Sequence, residues 1–319
     1  MLRLQRHGPW SGARGGNGCA MSTSRPYVYR TDAEPHTGSA SSAAVDGSAV
    51  LGAVRDDIRQ TLRTGWLDPA LEAASASPAF FTAAWSAVRP NVGKSFLSLA
   101  RTLRADAIDS VRATAETCDL AGRLRETLSE EEVRRVEESA RAAHLAAPKV
   151  QIVVHAFHRV LRRERIPGTG REEPPIRRGI PEWQRWMSLQ PALSEASRPI
   201  LEDASSTLAL PTPPVPLRLF ARWPSALSAL WDELRSFAAA DAWRTTTGRL
   251  RRIALAGMGG LPHPMEVQWI ALKSRGFSEQ DRLRLLDVVA ASDASMAAQT
   301  LVAAFAWKVL GAPEIGLES

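Results

Sequence analysis

The segment Pro78, Phe81, Trp85, Arg89 returns 146 residues later as Pro224, Leu227, Trp231, Arg235, with the same internal spacing. The echo continues: LSEEEVRR at 128–135 is matched by FSEQDRLR at 277–284, and HAFHRVL at 155–161 by AFAWKVL at 304–310, so the offset grows only to 149. Two long copies predict a paired, pseudo-symmetric architecture and argue against a solenoid, which stacks about three or more units of roughly 20–50 residues. In a paired architecture any site falls at the seam between the halves.

The repeated unit is helical. In VLGAVRDDIRQTLR at 50–63, Val50, Val54, Ile58 and Leu62 recur at four-residue steps and lay an apolar stripe on one helix face. Asp68-Pro69 has the form of an N-cap followed by a first-turn proline; Ser77-Pro78 repeats it, and Trp223-Pro224 opens the copy. Ser129 with Glu132, and Ser278 with Asp281, have the spacing of capping boxes. No segment alternates apolar and polar residues convincingly, so the expected fold is all-α: two pseudo-symmetric helical repeats packed around a central cavity. The expected layout is a disordered basic tail over 1–47, repeat 1 over 48–166, a Pro/Gly-rich linker over 167–189 and repeat 2 over 190–315.

Charge narrows the partners. The net charge is +6, but Arg3, Arg6, Arg14, Arg25 and Arg30 precede the first acid, Asp32, which leaves residues 31–319 at only +1. A nucleic-acid surface belongs on the folded part, so no nucleic-acid partner is expected. Two cysteines, Cys19 and Cys118, cannot build a disulfide framework, and the first 20 residues lack the apolar core of a secretory signal. A cytoplasmic protein is the expectation, with Met21 an alternative start. The apolar stretch Val288–Trp307 contains Asp293 and reads as a buried helix pair rather than a membrane span.

The sequence has no GxGxxG after a strand, P-loop, GxSxG elbow or HExxH, so no cofactor is expected. His155 and His158 lie three apart on one helix face, as a metal site in a bundle requires, yet no acid flanks them in sequence, and no metal is expected. His144 precedes Pro148, where a helix is interrupted, and so is a pocket candidate. Trp66 follows Thr64-Gly65 at a helix end, where its indole N–H can point into a cavity and donate to an anion. Arg89 and Arg235 follow the motif tryptophans by four residues; they can neutralise a carboxylate or stack on Trp85 and Trp231, and their presence in both copies favours a structural role.

DDIRQTLR at 56–63 followed by Trp66, the Pro-x-x-Phe-x-x-x-Trp helix at 78–85, Pro148-Lys149 before an apolar helix, and the junction Ala221-Arg222-Trp223-Pro224 together resemble the group I 2-haloacid dehalogenases, over about residues 48–312. The resemblance implies a small-carboxylic-acid pocket between two helical repeats, homodimerisation in many members, and hydrolysis of 2-haloalkanoic acids. In that reaction a carboxylate activates water, which attacks C2 directly and expels halide. The family's aspartate lies seven residues before the junction tryptophan, and that position here is Pro216, which has no titratable group. No carboxylate occurs anywhere in 211–223, and His144 stands where the family has an asparagine, whereas Trp66 matches its counterpart.

On this basis the candidate substrate-binding residues are Trp66, Val215, Pro216 and Phe220. His144, whose ordinary pKa near 6.5 suits proton abstraction at neutral pH, is the candidate for a relocated base. Two further readings stay open: a non-catalytic protein of the same fold that binds a small carboxylic acid or is structural, and a helical module acting through an exposed apolar face.

Overall fold

A computed structural model describes residues 42–116, 118–173 and 194–310. The expected tail falls mostly on 1–41 and much of the expected linker on 174–193, outside the described residues, as do 311–315 at the end of repeat 2. Among the described residues the fold is all-α, with a single isolated β-bridge between Ile166 and Met265.

Among the described residues, six α-helices precede the expected linker: α1 (Ser42–Leu62), α2 (Pro69–Ser75), α3 (Pro78–Val88), α4 (Lys94–Ala115), α5 (Leu120–Thr127) and α6 (Glu130–Leu161). Among the described residues after it are six more: α7 (Arg198–Thr207), α8 (Val215–Phe220), α9 (Pro224–Ala239), α10 (Asp241–Met258), α11 (Trp269–Ser274) and α12 (Glu279–Val309). Helix α1 is already present at Ser42, where the described residues begin.

Local signals explain the helix starts. Ser129 and Ser278 each form a complete capping box, the hydroxyl accepting from the backbone N–H three residues on while Glu132 or Asp281 reaches back. Proline opens α2, α3 and α9, where its missing N–H would have had no helical partner. The stretch expected to form a buried helix pair is instead part of one continuous helix, α12, since residues 279–309 contain neither glycine nor proline to break it. By length and apolar composition α12 could cross a membrane, but most of its apolar stretch is buried inside the protein, as in a core helix.

The two longest helices, α6 and α12, pack along each other and form the spine. Helices α2, α4 and α8 lie against that spine, and α3 is fixed to α6 by Phe80 and Phe81, whose rings meet Phe157 edge-on at 6.1 Å. The start of the linker runs beside the 261–265 loop, Thr169 and Gly170 donating to the carbonyls of Leu261 and Pro262. Gly168 permits this approach, because a Cβ there would stand 2.5 Å from the Pro262 carbonyl oxygen.

The motif that announced the repeat makes the same contact twice. Trp85 Nε1 donates to Asp57 at 2.7 Å and Arg89 Nε to the same oxygen at 3.0 Å. In the second half Trp231 Nε1 donates to Asp203 at 2.6 Å and Arg235 to its other oxygen at 3.3 Å. Each arginine thus meets its tryptophan at a shared carboxylate, a partner that the motif spacing alone did not reveal.

Candidate active site

Helix α6 carries a proline, Pro148, in mid-span. Its missing N–H leaves the His144 carbonyl without the usual helical donor. On one face around it stand Ala143, Ala147 and Val150, at the i, i+4, i+7 spacing of a helix stripe, and their short side chains leave space where longer ones would fill the core. That space is a cavity of about 10 Å3, room for about one water molecule.

The opposite walls come from three other places. The turn between α1 and α2 supplies Trp66 and Asp68, the first turn of α8 supplies Val215 and Pro216, and α12 supplies Met296 and Gln299. Three of the expected binding residues, Trp66, Val215 and Pro216, therefore line one cavity. Phe220 is 1% exposed and belongs to the hydrophobic core, outside the lining.

Asp68 was legible in the sequence as the cap of α2, and it does cap: Oδ1 accepts from the Ala70 N–H at 2.9 Å. What the sequence did not reveal is that its other oxygen, Oδ2, faces the side-chain amide of Gln299 at 3.4 Å. Gln299 joins the walls, because its Oε1 accepts from the Val215 backbone N–H at 3.3 Å. Burial raises the Asp68 pKa to about 6, against the smaller, opposing pull of the Ala70 and Gln299 hydrogen bonds and the charge of Arg218. A carboxylate so placed is mostly ionised at neutral pH yet basic enough to take a proton from water.

His144 has a different environment. It is 4% exposed, its ring lies parallel to Trp307 with centroids 5.8 Å apart, and it is not among the cavity's lining residues. Burial, assisted by the charge of Arg104, lowers its pKa to about 3, so it is neutral and weakly basic at pH 7.

The HAFH histidines are also accounted for. His155 Nδ1 bonds to Asp293 Oδ1, His158 Nδ1 lies 3.1 Å from Oδ2, and Arg251 donates to Oδ2 at 3.0 Å. The acid missing from their sequence neighbourhood comes from α12, 138 residues away. The array continues through Gln151, which lies 3.3 Å from His155 Nε2 and accepts from Thr300 Oγ1 at 2.7 Å. Among the described residues no cluster of three or more His, Cys, Asp or Glu side chains is suited to hold a metal ion.

No family model matches the chain. It is 25% identical over 243 residues to a configuration-inverting 2-haloacid dehalogenase of Pseudomonas sp. (strain 113), covering 73% of this chain and 78% of that one. It is 26% identical over 224 residues to an (R)-2-haloacid dehalogenase of Rhizobium sp. (strain NHG3), covering 67% and 84%. Over most of its length the chain is therefore similar to haloacid dehalogenases, and these matches support a divergent relative of that family.

The fold agrees with that family. A D-2-haloacid dehalogenase mutant in complex with D-2-CPA is similar with a TM-score of 0.72 at 19% identity, over 82% of this chain and 91% of that one. A D-2-haloacid dehalogenase with L-LA gives a TM-score of 0.68 at 18% identity, over 86% and 93%. Those two structures hold small carboxylic acids, 2-chloropropionate and lactate. In this chain the cavity wall includes both Pro216 and Asp68.

Proposed function

We propose that the chain hydrolyses 2-halo carboxylic acids by direct attack of water, with Asp68 as the general base. The observation that carries this reading is the convergence of Trp66, Asp68 and Pro216 on one water-sized cavity. The acid that the family resemblance leads one to seek at position 216 is supplied instead from the α1–α2 turn. Matched Trp–Asp–Arg contacts in α3 and α9 support the further reading that 48–166 and 190–315 are two copies of one unit.

The step balances simply. Asp68 accepts a proton from water, the oxygen attacks C2 and the carbon–halogen bond breaks, with its electron pair leaving on halide. The products are a 2-hydroxy acid, halide and a proton that Asp68 returns to solvent. Attack opposite the leaving group inverts C2. The geometry favours Asp68 over His144, since Asp68 faces the cavity with its basicity raised while His144 is stacked away with its basicity lowered.

The test is halide release from D- and L-2-chloropropionate by the wild-type chain, Asp68→Asn and His144→Ala. Release that Asp68→Asn abolishes and His144→Ala retains supports the reading; the reverse pattern assigns the base to His144. One turnover in 18O-labelled water should place the label in the product rather than in the Asp68 carboxyl. Binding of lactate without halide release from any form would leave a non-catalytic acid-binding protein of this fold.

A further inference from the structure

Arg218 lies on α8 three residues after Val215 and two after Pro216, both of which line the cavity. Three residues make nearly one helical turn, so Arg218 sits on the Val215 side of the helix. Its Nε is shielded from solvent and has no hydrogen-bond partner among the described residues. A buried guanidinium N–H without an acceptor is costly and calls for a group to complete it. Arg218 is also near enough to Asp68 for each charge to act on the other.

The chemistry of the proposed reaction asks for such a group. A 2-halo acid is an anion at neutral pH, and it must settle beside a second anion, Asp68, in a mostly apolar space. Two like charges brought together away from bulk water repel strongly unless a cation stands beside them. No lysine or arginine is among the residues lining the cavity, and Arg251 is already held by Asp293. A planar guanidinium with an unused donor suits a carboxylate better than an ammonium does.

We propose that Arg218 is the anchor for the substrate's carboxylate, setting the site's requirement for an acid and turning C2 towards the water at Asp68. This rests on the catalytic reading above for its substrate class, but lactate binding tests it without any turnover.

The experiment uses the full chain as wild type, Arg218→Met and Arg218→Lys, with folding checked by circular dichroism. Calorimetry measures binding of lactate and of its uncharged analogue lactamide, and kinetics measures KM and kcat for 2-chloropropionate. Loss of a charge-assisted hydrogen-bonded contact should weaken lactate binding in Arg218→Met by about 10- to 100-fold. Lactamide binding should stay within about threefold, so the preference for acid over amide collapses, and Arg218→Lys should fall between.

If wild type binds lactate and releases no halide while Arg218→Met loses the binding, the anchor stands and the hydrolytic reading falls. If Arg218→Met keeps the lactate-over-lactamide preference and only moves the acid limb of the pH–rate profile, Arg218 acts through Asp68 and the anchor is overturned. Wild-type protein that binds no lactate, or a Met variant that binds it as tightly as wild type, overturns it as well.

Discussion

Asp68 and Asp293 are hidden to the same degree, at 2% and 1% exposure, and differ in almost everything else. Asp293 is met by His155, His158 and Arg251; burial would raise its pKa, but the hydrogen bonds and charges of the two histidines outweigh that and hold its carboxyl well below the ordinary range. Asp68 has one backbone N–H, one long contact to an amide and the charge of Arg218, which together lower its pKa less than burial raises it, so its basicity rises. Burial alone therefore does not decide what a carboxylate is for; the number of donors aimed at it does. The well-served acid ties α6, α10 and α12 together, and the under-served one is left able to take a proton.

The sharpest way to break this contrast is to remove each charge in turn. Asp68→Asn should lower halide release by about 10^2- to 10^4-fold, measured as initial rates with 2-chloropropionate. The same change should stabilise the fold at pH 7, by on the order of 1–3 kcal/mol, because asparagine keeps the cap and is not penalised for burial as a charge. Asp293→Asn should do the opposite, costing about 3–5 kcal/mol in urea unfolding by leaving Arg251 and the histidines without their counter-charge. If both substitutions shift stability in the same direction, the contrast is wrong.

The pH dependence sharpens it further. Asp68 is raised from 3.8 to about 6, so the native state holds its proton over that window while the unfolded chain releases it. Stability from the neutral form is present below about pH 4 and lost as pH rises to about 6, so the advantage of Asp68→Asn should vanish near pH 4. Catalysis needs the ionised form, and halide release should climb through about pH 6 to a plateau. Asp293 runs the other way: its contribution is present above the unfolded carboxyl range and is lost as pH falls through its lower folded value.

The smallest expected effect concerns the paired Trp–Asp–Arg contacts. Asp57 is better shielded than Asp203, with side-chain exposures of 12% and 38%. Trp85→Phe should therefore cost about 1–3 kcal/mol and Trp231→Phe roughly 0.5–1.5 kcal/mol, read from urea midpoints.

How far these features could be read from the chain depended on the range of the interaction. The all-helical class and the caps at Asp68, Ser129 and Ser278 rest on residues within four positions of one another, and local rules reach that far. The acid beside His155 lies 138 residues away on α12 and nothing local announces it. Asp68 is the instructive case. A capping carboxylate looks the same in sequence whether its second oxygen meets solvent or a cavity, and only Trp66, two residues earlier and itself a pocket candidate, pointed towards it. Gln299 left no trace, since an amide on a long core helix has no signature. His144 attracted notice through Pro148, and the disturbed helix does border the cavity, but the side chains that face it are Ala143 and Ala147.

The space beside Asp68 is about one water in size, and a 2-halo acid is far larger. The space as it stands is too narrow for such an acid, so the proposed reaction needs a wall to shift. The long helices α6 and α12 are fastened together through Asp293 and Gln151, whereas α2 and α8 are only seven and six residues long. Traffic through the site would then keep time with the breathing of those two short helices, and stopped-flow association rates should level off as ligand concentration rises.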